Sequence, residues 1–125
     1  MRLKYLKLSL KNLIAIVGNK NGLATSVTLG ERWKQIIGSY YSISNYGRVR
    51  NDTTGVYKTP KINKGIVQIN LCNKGKSQTF CIARLVAYYF IREIQSNERI
   101  KHKDGDFRNN YYKNLEIVSK WIYLL

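Results

Sequence analysis

Arg48, Arg50, Lys58, Lys61, Lys64, Lys74 and Lys76 crowd into residues 48–76, interleaved with Tyr46 and Tyr57, and Arg84, Lys101, Lys103 and Arg108 follow downstream. Side chains of this kind bind phosphate. Each one that neutralises a phosphate releases condensed counterions, so affinity comes from their sum and not from any single lysine. That sum is large: 22 Lys plus Arg stand against 7 Asp plus Glu, a formal net charge of +15 on 125 residues. A compact domain carrying such an excess repels itself, which makes a polyanion the expected partner. Nucleic acid, RNA or DNA, leads. An anionic membrane surface comes second, because no basic amphipathic helix stands out.

Other groups carry less chemistry. His102 is the single histidine of the chain, and a lone histidine in a polar stretch is more often a satisfied structural group than a reactive one. Asp104-Gly105-Asp106 follows it at once. The two carboxylates are possible oxygen ligands, but Asp-Gly-Asp is ordinary turn chemistry, and the turn is the stronger reading. Asn114 reads as a pin for the loop before the last strand. Cys72 and Cys81 are too few for a zinc cluster and give no disulfide framework. Tyr40, Tyr41, Tyr88 and Tyr89 offer stacking surfaces for bases, although at least one of each adjacent pair belongs in the core.

The elements that must position these residues are short. At 44% hydrophobic residues the chain can fold, and its length fits one domain. The most apolar stretch, residues 6–17, is interrupted by Lys11 and is too short to span a membrane. Residues 1–30 contain no acid at all. There, apolar runs at 12–17 and 23–29 flank a turn at 18–22, a hairpin signature on a basic N-terminal extension. Leu3, Leu6, Leu10 and Leu13 also fit a helical spacing, and the acid-poor start also suits an organelle transit peptide, a retained segment being the stronger reading. The turn 44–47 leads into Arg48-Val49-Arg50, which places both arginines on one strand face and Val49 on the other. Residues 65–73 and 77–82 alternate about a turn at 73–76, an antiparallel hairpin. Residues 83–94 have helical spacing, 99–110 read as a polar turn-rich stretch, and 115–118 as a closing strand. The expected class is α+β, short antiparallel strands and hairpins with a central helix, in a domain spanning 31–125.

Glu31-Arg32-Trp33-Lys34, Gly38 and the block Tyr41-Ser42-Ile43-Ser44-Asn45-Tyr46-Gly47-Arg48-Val49-Arg50 resemble the nuclease-associated modular motif of HNH homing endonucleases. Downstream, Arg84-Leu85-Val86-Ala87, His102-Lys103-Asp104-Gly105-Asp106, Asn109-Asn110 and Asn114-Leu115-Glu116-Ile117-Val118-Ser119 resemble the HNH half of the same proteins. Several blocks in register over residues 31–119 make the likeness specific. It implies a ββα-metal C-terminal half, in which a histidine serves as general base toward a scissile phosphate. One divalent cation, held by an acid just before that histidine and by an Asn on the following helix, stabilises the leaving oxygen.

Against that pattern His102 matches the base. The acid position is Lys101, the helix position falls at Tyr123, and the His that usually precedes the Arg-Leu-Val-Ala block is Ala83. Lysine gives a cation no oxygen and repels it. Six residues after Ser119 also leave less than two helical turns. The expectation is therefore a degenerate nuclease with no metal and His102 as a vestigial base, acting as a nucleic-acid-binding protein. An AT-rich codon signature (much Ile, Lys, Asn and Tyr) adds an organelle, low-GC bacterial or phage setting, and the partner is read as an assembly such as an organellar ribosome. The alternatives are an active Mg²⁺-dependent HNH DNA endonuclease and a phage-type interaction protein that docks on an acidic surface.

Overall fold

The structure is a computed structural model, and it describes residues 29–119. The hairpin expected over residues 12–29 lies, but for its last residue, outside the described residues, as does Tyr123. Four short strands, β1 (Trp33–Gln35), β2 (Tyr41–Ser44), β3 (Val49–Asn51) and β4 (Tyr57–Lys58), form an antiparallel sheet in chain order. A second sheet holds β5 (Lys61–Asn63), β6 (Ile66–Asn73) and β7 (Lys76–Cys81), again antiparallel and in order. The helix α1 (Ile82–Phe90) follows directly, and a two-stranded ribbon of β8 (Glu98–His102) and β9 (Leu115–Ser119) closes the described chain. This is the α+β class of short antiparallel strands around one helix.

The turns of the second sheet follow from two Lys-Gly pairs. Lys64 and Gly65 have φ of 51° and 77°, Lys74 and Gly75 have 54° and 78°. Two successive residues at positive φ make the tight two-residue turn whose twist matches paired strands. The hairpin register follows: Asn63 faces Ile66, and Asn73 faces Lys76. Pro60 separates β4 from β5, since it has no N–H to give a ladder.

Alternation then builds the core. Ile43, Val49, Ile69, Leu71, Ile82, Val86 and Leu115 are buried, so both larger sheets, the helix and the ribbon share one apolar interior. On α1 the buried positions are Ile82, Ala83, Leu85, Val86 and Ala87, while Arg84 and Tyr88 face solvent one turn apart.

Two expectations need correction. The helix stops at Phe90 rather than running to residue 94. Arg92 instead forms a fork on Glu98, Nη1 to Oε1 at 3.0 Å and Nη2 to Oε2 at 2.8 Å. The Gln95 N–H also donates to Glu98 Oε1 at 2.9 Å. These bonds fold residues 92–98 into a turn that competes with further helix. The second correction is that residues 98–102 are strand and not loop. Glu98, Ile100 and His102 are half-buried, Arg99 and Lys101 exposed, the period of two that a ribbon over a core requires.

The fork has a consequence in acid. The Arg92 guanidinium and then the Gln95 N–H hold the Glu98 carboxyl down from 4.5 to about 2. A depressed carboxyl stabilises the fold above its ordinary value and loses that contribution as pH falls through the folded value. Between pH 4.5 and 2 the wild type should therefore lose more stability than Glu98→Gln. Urea midpoints taken across that range check it, and parallel curves would refute it.

Candidate nucleic-acid interface and nuclease-like centre

Outward-facing residues of the first sheet gather two arginines on aromatic rings. The Arg50 Cζ stands 4.1 Å from the centre of the Trp33 ring. The Arg48 Cζ stands 5.7 Å from the same ring and 4.5 Å from that of Tyr57. Trp33 and Tyr57 are themselves 5.8 Å apart, centre to centre. The strand register causes this: Arg50 lies opposite Tyr57 on β4 and Ser42 on β2, and Trp33 on β1 lies opposite Ser44. Val49 between the arginines points inward and is buried. Beneath them Ser42 donates to Asp52 Oδ2 at 2.6 Å, and Arg50 Nε donates to Asp52 Oδ1 at 3.4 Å. Each ring contact contributes about 0.5–1 kcal/mol toward ordering its guanidinium. A guanidinium held over rings keeps N–H donors that suit phosphate oxygens.

The remaining expected phosphate ligands are spread over other elements. Lys58 lies opposite Val49, on the core side of the first sheet, with its Nζ 5.4 Å from the Tyr41 ring centre. It is therefore not part of the Arg48–Arg50 row. Lys61, Lys64, Lys74 and Lys76 are exposed along the strands and turns of the second sheet. Arg84, exposed on α1, donates to the Glu98 carbonyl at 3.4 Å. Lys101 and Lys103 flank His102 and are exposed, and Arg108 covers the ring of Phe107 with its Cζ at 4.5 Å. Tyr46, expected among the cations, stacks instead on Tyr111.

His102 ends β8 opposite Leu115 and is half-buried. Its Nε2 is 2.8 Å from Oδ1 of Asn110, a residue only 6% exposed. An amide oxygen can only accept, so Nε2 is the donor of this bond, whether the ring is neutral or an imidazolium. This partner was not legible in the sequence, where Asn110 stands eight residues away in a polar run. The loop between is built on Asp104. Its Oδ1 accepts from the Asp106 N–H at 2.8 Å and from Asn114 Nδ2 at 3.0 Å, its Oδ2 from Asn109 Nδ2 at 2.8 Å. Asn114 further ties the loop through the Asp104 N–H and the Asn109 carbonyl. These donors, Asn109 first, hold the Asp104 carboxyl below the ordinary range. Asp104 is the turn's organiser, and Asn114 its pin.

The residues around His102 do not fit a divalent cation. Mg²⁺-type ions take carboxylate oxygens, whereas the strand neighbour here is an ammonium, Lys101. Both Asp104 oxygens already accept hydrogen bonds within the loop. Asp106 Oδ1 accepts the Arg108 N–H at 2.9 Å. Among the described residues no group of three His, Cys, Asp or Glu side chains comes together. What the geometry does offer is an oriented imidazole beside cationic side chains.

An arginine-faced antiparallel sheet, a short helix and a histidine-ended ribbon are the parts that the resemblance to HNH homing endonucleases implies, which makes one of their scaffolds the class to compare. The comparisons agree. Residues 31–72 match the NUMOD4 motif. The DNA endonuclease I-HmuI of Bacillus phage SP01 is 37% identical over 93 residues, 72% of this chain and 53% of that protein. An HNH endonuclease of Acanthamoeba polyphaga mimivirus is 36% identical over 86 residues, 68% of this chain and 26% of its own length. The solved structure of I-HmuI, described as DNA binding and cleavage by the HNH homing endonuclease, superposes with a TM-score of 0.69 at 34% identity. That match covers 74% of this chain and 55% of the I-HmuI chain. This chain belongs to the HNH homing endonuclease family. It spans about half of I-HmuI and about a quarter of the mimivirus protein.

Proposed function

We propose that this chain is a basic nucleic-acid-binding protein on an HNH homing endonuclease scaffold, holding a sugar-phosphate strand without cutting it. The observation that carries the binding half is the ring-held pair Arg48 and Arg50 on the first sheet, within a chain of net charge +15. Phosphate contacts of this kind position a strand and do not specify its sequence. I-HmuI, whose structure is described as binding and cleaving DNA, supports a DNA partner. RNA remains the comparison to make, because backbone contact alone does not separate the two. A structural place in a nucleoprotein assembly such as an organellar ribosome is the form of this role that the charge favours, and co-purification with rRNA tests it.

The observation that carries the inactive half is Lys101 in the acid's place, with the Asp104 oxygens engaged in their own turn. Hydrolysis needs charge stabilisation on the departing oxygen as well as a base. One observation favours the second reading, an active HNH endonuclease: the His102 ring is held through Nε2 on Asn110, which leaves Nδ1 as the nitrogen outside that bond. Plasmid nicking with Mg²⁺ or Mn²⁺ separates them. The expected result is no metal-stimulated nicking, with wild type and His102→Ala indistinguishable. Nicking that needs the metal and vanishes in His102→Ala overturns the inactive reading.

A further inference from the structure

We propose that the turn Asn45-Tyr46-Gly47 is the positioning element for the His102 imidazole, so that the NUMOD4 segment reaches into the HNH half to set its base. Three consecutive residues of the turn meet three consecutive residues of the Asn110 loop in antiparallel order, each by a different contact. The Asn45 carbonyl accepts the Tyr112 N–H at 2.9 Å. The Tyr46 ring stacks on that of Tyr111, with centres 4.5 Å apart and planes at 27°. Gly47, at φ +90°, leaves open the space that Asn110 fills. A β-carbon on Gly47 would stand 3.0 Å from the Asn110 Cβ and 3.2 Å from Ile82 Cγ2. Neither atom is the far end of a flexible side chain, so a side chain at 47 requires Asn110 and Ile82 to give by a few tenths of an ångström.

That shift matters because of what Asn110 holds. Its amide oxygen is 2.8 Å from His102 Nε2. The turn itself is fixed from the other side: Asn45 is 2% exposed, its Oδ1 accepts the Arg32 N–H at 2.8 Å, and its own N–H donates to the Arg32 carbonyl at 3.0 Å. The next residue after Gly47 is Arg48, whose guanidinium lies over Trp33 and Tyr57. One turn thus fixes the guanidinium row and the imidazole relative to each other. Asn45, Tyr46, Gly47 and Asn110 are positioning residues. This goes beyond the binding role, which needs no oriented imidazole.

The chain's single histidine makes the test direct, because every imidazole signal belongs to His102. In mildly alkaline solution the wild type should show a protected, hydrogen-bonded Nε2–H proton resonance. It should disappear in Asn110→Ala and in Gly47→Ala. Gly38→Ala serves as the matched strain control, since Gly38 has φ +77° with nothing within 4 Å of an added β-carbon; it should keep the resonance. A folded Gly47→Ala protein with the wild-type resonance overturns the assignment. Should Gly47→Ala not fold, Tyr46→Leu and Tyr111→Leu remove the stack without intrusion. Aromatic pairs are worth enough to speed Nε2–H exchange roughly twofold to tenfold when lost, and an unchanged exchange rate in both also overturns it. The salt dependence of nucleic-acid binding is measured separately, so the binding role and the positioning role can fail independently.

Discussion

Ile43→Ala should lower the stability of the fold by about 2–5 kcal/mol, the range for emptying a buried aliphatic site. Ile43 is fully buried in β2, the strand between β1 and β3, where it pairs with Lys34 on one side and Val49 on the other. It belongs to the cluster that includes Ile69 of the second sheet and Ile82 and Val86 of the helix. A cavity there opens at the point where three elements meet, and none is long enough to close it by bending. With a urea slope of about 1–3 kcal/mol per molar for a small domain, the midpoint should fall by about 1–3 M. Ile62→Ala is the contrast. Ile62 is 54% exposed on β5, and surface truncations of this kind stay within about 0.5 kcal/mol. Equal midpoint shifts for the two variants would show that the core is not where the structure places it.

The sequence makes some of this arrangement legible and hides the rest for physical reasons. The hairpin of β6 and β7 is readable because Ile69 and Leu71 alternate with polar neighbours and Asn-Lys-Gly marks its turn. Val49 between two arginines likewise announces a half-buried strand. The ribbon strand β8 is hidden because its outward positions are Arg99 and Lys101, and its inward ones include a histidine and a glutamate. The charges mask a period of two that only Ile100 supports. The helix end is hidden because the Arg92–Glu98 fork depends on side-chain geometry that spacing does not report.

The candidate site divides in the same way. Cations are countable, so a polyanion partner follows from composition. Which of them act together depends on strand register, and register splits Lys58 from Arg48 and Arg50. Trp33, whose ring organises that pair, reads in sequence only as part of a motif. Asn110 is invisible as a partner for His102 until the loop closes on Asp104. Of the tyrosine pairs, Tyr41 is buried beside an exposed Tyr40, whereas Tyr89 is only half-buried against the core beside an exposed Tyr88.

Removing the Trp33 ring should weaken nucleic-acid binding without changing how binding responds to salt. Trp33→Ala removes no charge, so the same number of phosphates can be neutralised and the slope of log affinity against log salt stays as it was. What is removed is the ring ordering of Arg48 and Arg50, two contacts of about 0.5–1 kcal/mol each. The loss should therefore be about fivefold to thirtyfold in affinity, the same at every salt concentration. Arg48→Gln with Arg50→Gln behaves differently. Two phosphate contacts are lost, so the slope on duplex DNA should become shallower by about 1.8, and the deficit should shrink as salt rises. The pair of experiments separates preorganisation from charge, which a single alanine variant cannot do. A slope change in Trp33→Ala would mean that the tryptophan holds the fold of the first sheet rather than the arginines on it. No loss in either variant would place the nucleic-acid surface on the lysines of the second sheet instead.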